Sequence, residues 1–376
     1  MSNYIQNMKK RNDNLSKYAC NDKAAIRLDI EQSDIRTDYF RDIDRIIYSL
    51  AYTRYIDKTQ VFSQSSNDNI SKRMTHVQMV SRIGRTIGRA LGLNEDLIEA
   101  ASLGHDLGHV PFGHYGEKIL NKISLEYNEG YFNHNVQSVR TLMYLEEFGK
   151  GRNITIQVLD AILCHNGEFV SDKYYPIEKN AKDFLDEYNN SYIDLNILKK
   201  LRPMTLEGCV VRISDVIAYI GRDIEDSIRL GVIKIEDVPK HIRKILGNTN
   251  TEIINNIVLD IIKNSINKPY IKISEDIFNA IIELKQFNYE KIYNKQDKKL
   301  DEIKIEQKFY NLFNIYLKQI ENDLKNEEIY TVFLNTMDSD YLNNNTNVRK
   351  VIDYIAGMTD DYFLKQHDKY FGGREL

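Results

Sequence analysis

Apolar side chains recur at three- and four-residue intervals along most of this chain, which is the spacing of one face of an α-helix. The pattern is clear from Asp38 to Tyr55, where Ile43, Ile46 and Leu50 follow this spacing. A polar stretch over residues 63–71 comes next and predicts a loop. We see no alternating strand series and no internal repeat.

The next helix carries a clear stop signal and two small residues. Its apolar stripe runs from Val77 to Leu91, and Gly92 predicts its end. Gly84 and Gly88 share one face of this helix, so another helix is expected to approach closely there. Asn94 predicts the cap of the following helix, which leads into a histidine-rich run.

Further helical patterns cover residues 134–148, 153–165, 181–200, 205–230 and 347–362. Residues 235–340 are helical in pattern but rich in Lys, Asn and Glu, and five prolines in 376 residues also suit a mostly helical protein. We therefore predict an all-α fold. It has an N-terminal arm over 1–35, loose in its first 33 residues, a helical core over 36–230, and a C-terminal helical region over 231–376 whose last segment packs back on the core.

Charge and cysteine content exclude several classes of protein. The net charge of −4 argues against a dominant basic surface for nucleic acid. Three dispersed cysteines without a CxxC pair predict no disulfide framework and a reduced, cytosolic compartment. Neither a secretory signal nor a membrane span is expected, because no long apolar run occurs.

The run His105–Glu117 (HDLGHVPFGHYGE) carries the clearest chemistry. It holds three of the eight histidines and two carboxylates within thirteen residues. Gly108, Pro111 and Gly113 interrupt the helical pattern, so the run passes from a helix end into a loop. Such groups are costly to bury unpartnered, and a divalent metal is the partner that fits best. The run therefore indicates metal-assisted hydrolysis.

Two distant residues are candidates to complete a metal site with His105 and Asp106. Neighbouring helical residues point about 100° apart, so these two reach one ion only at a helix end or with ligands from other helices. His76 lies near the start of the glycine-bearing helix, and Asp215 lies within the long apolar helix. The alternatives are a surface or core histidine for His76, and a salt bridge with Arg212 for Asp215.

Six segments of the chain resemble the HD-domain phosphohydrolases, specifically the deoxynucleoside triphosphate triphosphohydrolases of the dGTPase-like branch. The segments are Arg36–Gln60, Arg73–Val80, His105–Glu117, Phe132–Arg140, Arg212–Asp226 and Val351–Asp360. The signatures KTQ, PFGHxGE and DxxxYxxxD occur in order, which makes the resemblance more specific than an HD dipeptide alone. It covers the first 230 residues and the end of the chain, and it says little about residues 235–340.

The resemblance implies that His76, His105, Asp106 and Asp215 bind one divalent metal per active site. Manganese comes first, with Mg, Fe, Ni, Co or Zn as alternatives. The implied reaction is hydrolysis of a deoxynucleoside triphosphate, dGTP first, to the deoxynucleoside and inorganic triphosphate. Metal-bound hydroxide would attack the α-phosphorus, and His114 would protonate the 5′-oxygen leaving group.

The resemblance also assigns the groups around the phosphates. Glu117 lies three residues after His114 and would orient its imidazole if this segment is helical; the alternative is that Glu117 caps a helix. His109 is implied as a further catalytic histidine at the phosphate site. His134 and Arg73 are implied to bind phosphate, through an imidazolium and a guanidinium.

On the sugar side, Tyr219 and Asp223 lie one and two helical turns after the predicted metal ligand of the long helix. The resemblance implies that Tyr219 packs on the deoxyribose and that Asp223, with Gln60, binds the 3′-hydroxyl. Ordinary core packing is the alternative for Tyr219. An exposed salt bridge with Arg222 or Arg229 is the alternative for Asp223.

Other functions remain open at this point. One is another HD phosphohydrolase, a nucleotidase or a cyclic-nucleotide phosphodiesterase, which the KTQ and DxxxYxxxD segments argue against. Another is a nucleotide sensor with weak hydrolysis, which an intact His114–Glu117 pair argues against. His165, in LCHNGE, fits a core or a surface position equally well and has no assigned role. The resemblance also implies that the protein forms a homo-oligomer and that a nucleotide or single-stranded DNA acts as an effector, as in related enzymes.

Overall fold

The computed structural model describes residues 14–32, 34–58, 71–165, 170–293 and 299–372. Within these ranges the chain is mainly helical, so the predicted all-α class is confirmed. The helices are α1 (Asp38–Ile47), α2 (Leu50–Thr53), α3 (Arg73–Leu91), α4 (Glu95–Gly104), α5 (Gly113–Glu126), α6 (His134–Arg140), α7 (Glu146–Gly149), α8 (Ile156–Leu163), α9 (Ala181–Asn190), α10 (Leu195–Lys200), α11 (Leu206–Arg229), α12 (Lys240–Leu246), α13 (Asn250–Ser265), α14 (Glu275–Asn288), α15 (Lys299–Glu321), α16 (Ser339–Asn344), α17 (Asn347–Ala356) and α18 (Asp360–Phe371). Short 3₁₀ and π turns join several of them.

One small β-ribbon was not predicted. Strand β1 (Lys173–Tyr174) pairs antiparallel with β2 (Ile271–Lys272). Each strand has only two residues, which is too short for an alternating pattern to register in the sequence. The ribbon joins the middle of the chain to the region after α13.

The first predicted helix is wrong as a single element, because the structure breaks it after Ile47. Ser49 begins a new turn, and its hydroxyl accepts the backbone N–H of Tyr52 at 3.1 Å. The carboxylate of Glu146 accepts the N–H groups of Leu50 and Ala51 at 3.1 and 2.9 Å. A residue about 95 positions away in sequence thus satisfies the new helix start, which periodicity alone cannot reveal.

The close helix approach predicted at Gly84 and Gly88 is confirmed where α3 crosses α4. A methyl group added at Gly84 would lie 2.8 Å from Ile98 Cγ2, and one at Gly88 would lie 2.4 Å from Ile98 Cδ1. The predicted helix end is also confirmed, since Gly92 has a left-handed φ of 69°. Asn94 caps α4 by accepting the N–H of Asp96 at 3.2 Å.

Residues 14–32 are held on the core, which differs from the predicted loose arm. The backbone N–H of Ser16 donates to the Gly92 carbonyl at 2.7 Å. The N–H of Cys20 donates to the buried Glu207 carboxylate at 2.9 Å. Arg27 donates to the buried Asp42 at 2.7 Å. These long-range partners give the segment its order without any helical pattern in its sequence.

The buried apolar side chains form two clusters. The first contains side chains of α1, α3, α4, α6, α8, α11, α13 and α14. The second contains side chains of α5, α15, α17 and α18. Residues on both sides of Gly231 contribute to the first cluster, and the domain division given above stays a prediction. Among the described residues, no helix combines the length and the apolar character needed to cross a membrane.

Candidate metal and phosphate site

Three helices meet where the predicted metal ligands lie. His76 is on the first turn of α3, and Asp215 is in the middle of α11, which packs against both α3 and α4. His105 and Asp106 form the turn directly after α4. All four side chains are buried. The structure thus brings together residues that are up to 139 positions apart in sequence.

The ligand atoms of these four side chains lie at separations suited to one ion. His76 Nε2 is 3.0 Å from Asp215 Oδ1 and 3.9 Å from Asp106 Oδ2. His105 Nε2 is 3.4 Å from Asp106 Oδ1 and 3.7 Å from Asp215 Oδ1. Ligands that bind one ion at about 2.1 Å stand roughly 3.0–3.5 Å apart. The donor set therefore fits a divalent metal with small adjustments.

The tautomer of His105 also fits a metal ligand. Its Nδ1 donates to the Ser102 carbonyl at 2.7 Å, which leaves a lone pair on Nε2. That Nε2 atom is buried and has no hydrogen-bond partner among the described residues. Such an orphaned acceptor facing two carboxylates is costly without a cation between them.

Both carboxylates of the set are held in the ionised form. Burial opposes the charge of Asp106, but His105, Arg73 and His109 together hold the pKa of Asp106 well below its usual range. Burial likewise opposes the charge of Asp215, and a hydrogen bond from His76 lowers the pKa of Asp215 below its ordinary value. The site therefore offers two carboxylates and two imidazoles, which suit Mn, Fe, Co or Zn.

Arg73, predicted to bind phosphate, is buried and donates from Nη1 to Asp106 Oδ2. In this structure the guanidinium thus compensates a carboxylate of the metal set. Its predicted contact with phosphate stays a prediction.

A tight turn carries His105–His109 across the start of α6. A methyl group added at Gly108 would lie 2.3 Å from the His134 carbonyl and from the Ser138 N–H nitrogen, so only glycine fits. The buried Lys58 Nζ donates to the His109 carbonyl and, at 3.3 Å, to the Ala356 carbonyl. Lys58 is the first residue of the KTQ signature. The sequence did not predict that this lysine anchors the turn.

The predicted helical contact between His114 and Glu117 is present at the start of α5. His114 Nδ1 lies 3.1 Å from Glu117 Oε2, and the His114 side chain is 61% exposed. Glu117 also accepts the backbone N–H of His134 at 2.7 Å, at the first residue of α6. Glu117 thus satisfies a backbone N–H group at the start of α6, as the capping alternative supposed for a helix start, while its catalytic partnership with His114 stays a prediction.

The protonation of the two remaining predicted histidines differs. Burial, with Arg73 and His134 nearby, lowers the pKa of His109 well below its usual value, so a doubly protonated His109 is not favoured. Burial also opposes charge on His134, but the Glu117 carboxylate raises the pKa of His134 to about 8. The two rings stack with centroids 4.1 Å apart. Burial and nearby charge thus favour the imidazolium form of His134 and oppose it for His109, while the phosphate-site roles of both residues stay predictions.

His165, which had no assigned role, lies within this site. It follows α8, is 1% exposed, and its Nε2 lies 3.1 Å from His134 Nε2 and 3.9 Å from Asp106 Oδ1. Six of the eight histidines therefore converge here. The signal in the sequence was the LCHNGE segment, but its distance from the other motifs gave no indication of contact.

On the predicted sugar side, Asp223 is buried and accepts a hydrogen bond from the Tyr293 hydroxyl. Burial raises the pKa of Asp223 to about 7. The alternative of an exposed salt bridge is wrong, because Arg222 and Arg229 pair with Glu225 and Asp226 instead.

Tyr219 is half-buried against the first cluster. Gln60, predicted to bind the 3′-hydroxyl, lies outside the described residues, as does most of the predicted 63–71 loop. Tyr293 was missed because residues 235–340 carry no recognisable motif.

Comparison with known proteins first gives the class. Residues 73–220 match the HD domain, and residues 271–369 match a phosphohydrolase-associated domain. The first range contains all four predicted metal ligands. The helices and the His–Asp site described above are thus those of an HD-domain protein.

Similarity along the whole chain then gives the family. A deoxyguanosinetriphosphate triphosphohydrolase-like protein of Caldanaerobacter subterraneus subsp. tengcongensis is 41% identical over 345 residues, covering 91% of this chain and 87% of that protein. Proteins of the same name from Clostridium perfringens and Rickettsia bellii are 37% and 30% identical, over 91% and 89% of this chain and 89% and 91% of their own lengths. The chain belongs to the deoxyguanosinetriphosphate triphosphohydrolase-like family, and the predicted resemblance is confirmed.

Proposed function

We propose that this protein is a metal-dependent hydrolase that cleaves a deoxynucleoside triphosphate to the deoxynucleoside and inorganic triphosphate. The first candidate substrate is dGTP. The observation that carries the proposal is the position of the His114–Glu117 pair beside the metal-ligand set. The His109 ring, which lies 3.3 Å from Asp106 through Nε2, has its centroid 5.0 Å from that of His114. The similar proteins are named deoxyguanosinetriphosphate triphosphohydrolase-like, and this directs the choice of substrate.

In this proposal His76, His105, Asp106 and Asp215 hold one divalent ion. When bound, such an ion activates water and polarises a phosphate oxygen. The protein prepares the site by keeping both carboxylates ionised and the His105 Nε2 lone pair aimed inward.

His114 then acts as the general acid for the 5′-oxygen. Its Nδ1 faces the Glu117 carboxylate, which fixes the orientation and the tautomer of the ring. The opposite nitrogen, Nε2, is thereby the atom that carries the transferable proton. Because the His114 side chain is 61% exposed, a substrate can reach it without rearrangement of the core.

Phosphate and sugar recognition follow from the neighbouring groups. His134 supplies positive charge beside the phosphates, and Arg73 is the second cationic group there. Asp223 with Gln60 binds the 3′-hydroxyl, and Tyr219 packs against the deoxyribose. A buried carboxylate such as Asp223 discriminates against an analogue that lacks the hydroxyl, because the carboxylate is then left unsatisfied.

Product analysis tests the proposal. The protein is incubated with dGTP and Mn²⁺, and the products are separated by ion-exchange chromatography. Deoxyguanosine with intact triphosphate is expected. Stepwise formation of dGDP and orthophosphate would contradict the proposal, and so would binding without turnover. Parallel reactions with dATP, dCTP and dTTP give the base preference.

The preference for manganese, the homo-oligomer, the nucleotide or single-stranded DNA effector and the cytosolic location stay predictions.

A further inference from the structure

The turn that leads into α5 contains a strained backbone. Phe112 has a φ of 61° and Gly113 a φ of 56°, so two successive residues are left-handed where α5 begins. Glycine adopts this conformation freely, whereas a phenylalanine has a steric penalty there. Contacts from the rest of the fold must therefore hold Phe112 in place. The proposed acid, His114, is only two residues further along the chain.

The contacts that hold Phe112 come from the C-terminal helix α18. Asp360, the first residue of this helix, is buried, and its Oδ1 accepts the backbone N–H of Phe112 at 3.0 Å. The Phe112 ring packs edge-on against the ring of Phe363, one turn further along α18, with the centroids 5.4 Å apart. The helix α18 thus holds both the backbone and the side chain of the left-handed residue.

The direction in which α5 leaves the turn depends on the same contacts. A methyl group added at Gly116 would lie 2.0 Å from the Pro111 carbonyl oxygen, so the first turn of α5 packs directly on the backbone before it. Lys58 fixes the other end of this backbone by bridging the carbonyls of His109 and Ala356. The position of His114 therefore follows from how the backbone of residues 109–113 is held.

We propose that Asp360 is a positioning residue for the proton donor, because its hydrogen bond to the Phe112 N–H holds the left-handed turn that places His114 beside the leaving oxygen. This inference rests on the proposed function, since it assumes that His114 is the acid. Asp360 acts through the backbone and is neither a predicted metal ligand nor a predicted substrate contact. It gives a role to the end of the segment Val351–Asp360, which the metal set and the substrate contacts leave unexplained.

Substitution of Asp360 tests the proposal. Asp360→Ala removes the acceptor and should lower kcat on dGTP by about 10- to 100-fold, because a displaced acid slows the chemical step. KM and bound Mn²⁺ should not change. Asp360→Asn keeps a carbonyl oxygen in the same place and should stay close to the wild-type kcat. Asp361→Ala is the matched control, because Asp361 is the exposed neighbour on the same helix, and it should keep the wild-type kcat.

A double-mutant cycle separates positioning of the acid from a general loss of structure. If Asp360 acts through His114, then Asp360→Ala should lower kcat little further in a His114→Ala protein, and the two effects will not be additive in free energy. Hydrogen exchange at the Phe112 N–H tests the contact itself without any substrate. It should be faster in Asp360→Ala and stay slow in Asp360→Asn.

The outcomes distinguish this inference from the proposed function. An unchanged kcat in Asp360→Ala would overturn the inference alone, and so would additive losses in the double variant. A loss in Asp360→Asn as large as that in Asp360→Ala would also overturn it, because the acceptor oxygen is still present. A wild-type protein that releases no triphosphate from dGTP would overturn the proposed function, whereas hydrogen exchange at Phe112 would still show whether Asp360 holds the turn.

Discussion

At the scale of single residues, burial dictates which polar groups this site can contain. Asp106 is almost fully buried, and it stays ionised because Arg73, His105 and His109 surround it. The backbone contact of His105 Nδ1 leaves Nε2 as the ring nitrogen that faces that carboxylate. Each group is acceptable in the interior only because the others are present, so the site behaves as one electrostatic unit.

The proton donor proposed above gives the first prediction. His114→Ala should lower kcat on dGTP by about 10²- to 10⁴-fold, because the leaving oxygen loses its acid. Bound metal should be unchanged, since His114 is exposed and is not among the predicted ligands. Steady-state kinetics with metal analysis checks this result.

Lys118→Ala is the matched control, because Lys118 is exposed on the same helix, and it should keep wild-type kcat. Full activity in His114→Ala would refute the role of His114 as the acid.

The buried Asp223 carboxylate gives a second prediction, on stability. Its pKa is about 7 in the folded protein against 3.8 in the unfolded chain, because burial disfavours the charge. The folded state therefore holds the proton more tightly, and this contribution to stability is full below pH 3.8 and is lost as pH rises through about 7. Asp223→Asn should thus raise the free energy of unfolding at pH 8, on the order of 1–3 kcal/mol.

The same substitution should have a much smaller effect at pH 5, where Asp223 is already protonated in the folded protein. Urea unfolding at the two pH values measures the difference. An equal change at both would show that the effect comes from packing and not from ionisation. In the proposed function, the variant should also raise KM for dGTP, since the 3′-hydroxyl loses its charged acceptor.

At the scale of elements, close packing of α3 on α4 places His76 beside the turn that carries His105 and Asp106. The contact depends on Gly84 and Gly88, which let Ile98 reach the backbone of α3. A larger side chain at this crossing would separate the two helices and widen the ligand set. Stability and metal binding are therefore linked through two small residues.

Gly88→Leu tests this link. Overpacking should destabilise the protein by about 1–3 kcal/mol and weaken metal binding. Gly88→Leu combined with Ile98→Ala should recover part of both losses, because the second change removes the side chain that the leucine meets. Urea unfolding and metal titration check the pair. Additive effects of the two substitutions would contradict direct contact at the crossing.

At the scale of the whole molecule, the site lies where the two apolar clusters meet. The predicted metal ligands are on or next to elements of the first cluster, whereas α5, which carries His114 and Glu117, packs on α15 and α17 of the second. The C-terminal helices thus hold the proposed acid in place. This gives part of residues 235–340 a function that their sequence did not suggest.

A buried ion pair joins the two parts of the molecule. Asp353 of α17 accepts two hydrogen bonds from Arg140 of α6, at 2.6 and 2.8 Å, and one from Tyr341 at 2.8 Å. Asp353→Asn would leave the Arg140 charge buried without its counterion, at a cost of about 3–5 kcal/mol. Urea unfolding measures this loss, and hydrogen exchange should show faster opening of α17.

The matched control for this pair is Asp361→Asn, at an exposed position of α18, which should change stability by less than about 0.5 kcal/mol. If Asp353→Asn changes the free energy of unfolding equally little, the Arg140–Asp353 ion pair contributes nothing to stability beyond an apolar contact. On acidification the Asp353 contribution should be lost, because Arg140 lowers the pKa of this carboxylate against the effect of burial.

The sequence by itself determined the helical class, the end of α3 at Gly92, the cap at Asn94, the glycine crossing and the family. These features are local, since periodicity, capping and short motifs depend on neighbours within a few residues. It also named every side chain of the proposed metal set and acid pair. Short motifs of fixed residue types can be recognised in the sequence even when the residues that they contact in the fold are distant along the chain.

Only the tertiary structure decided how distant segments meet. Glu146 breaks the first helix, Tyr293 reaches Asp223, and His165 faces His134, although no sequence spacing connects these pairs. The protonation of His109 and Asp223 also depended on the fold, because burial and nearby charges set it. Contacts and solvation are properties of the packed chain, so they could not be derived from residue order alone.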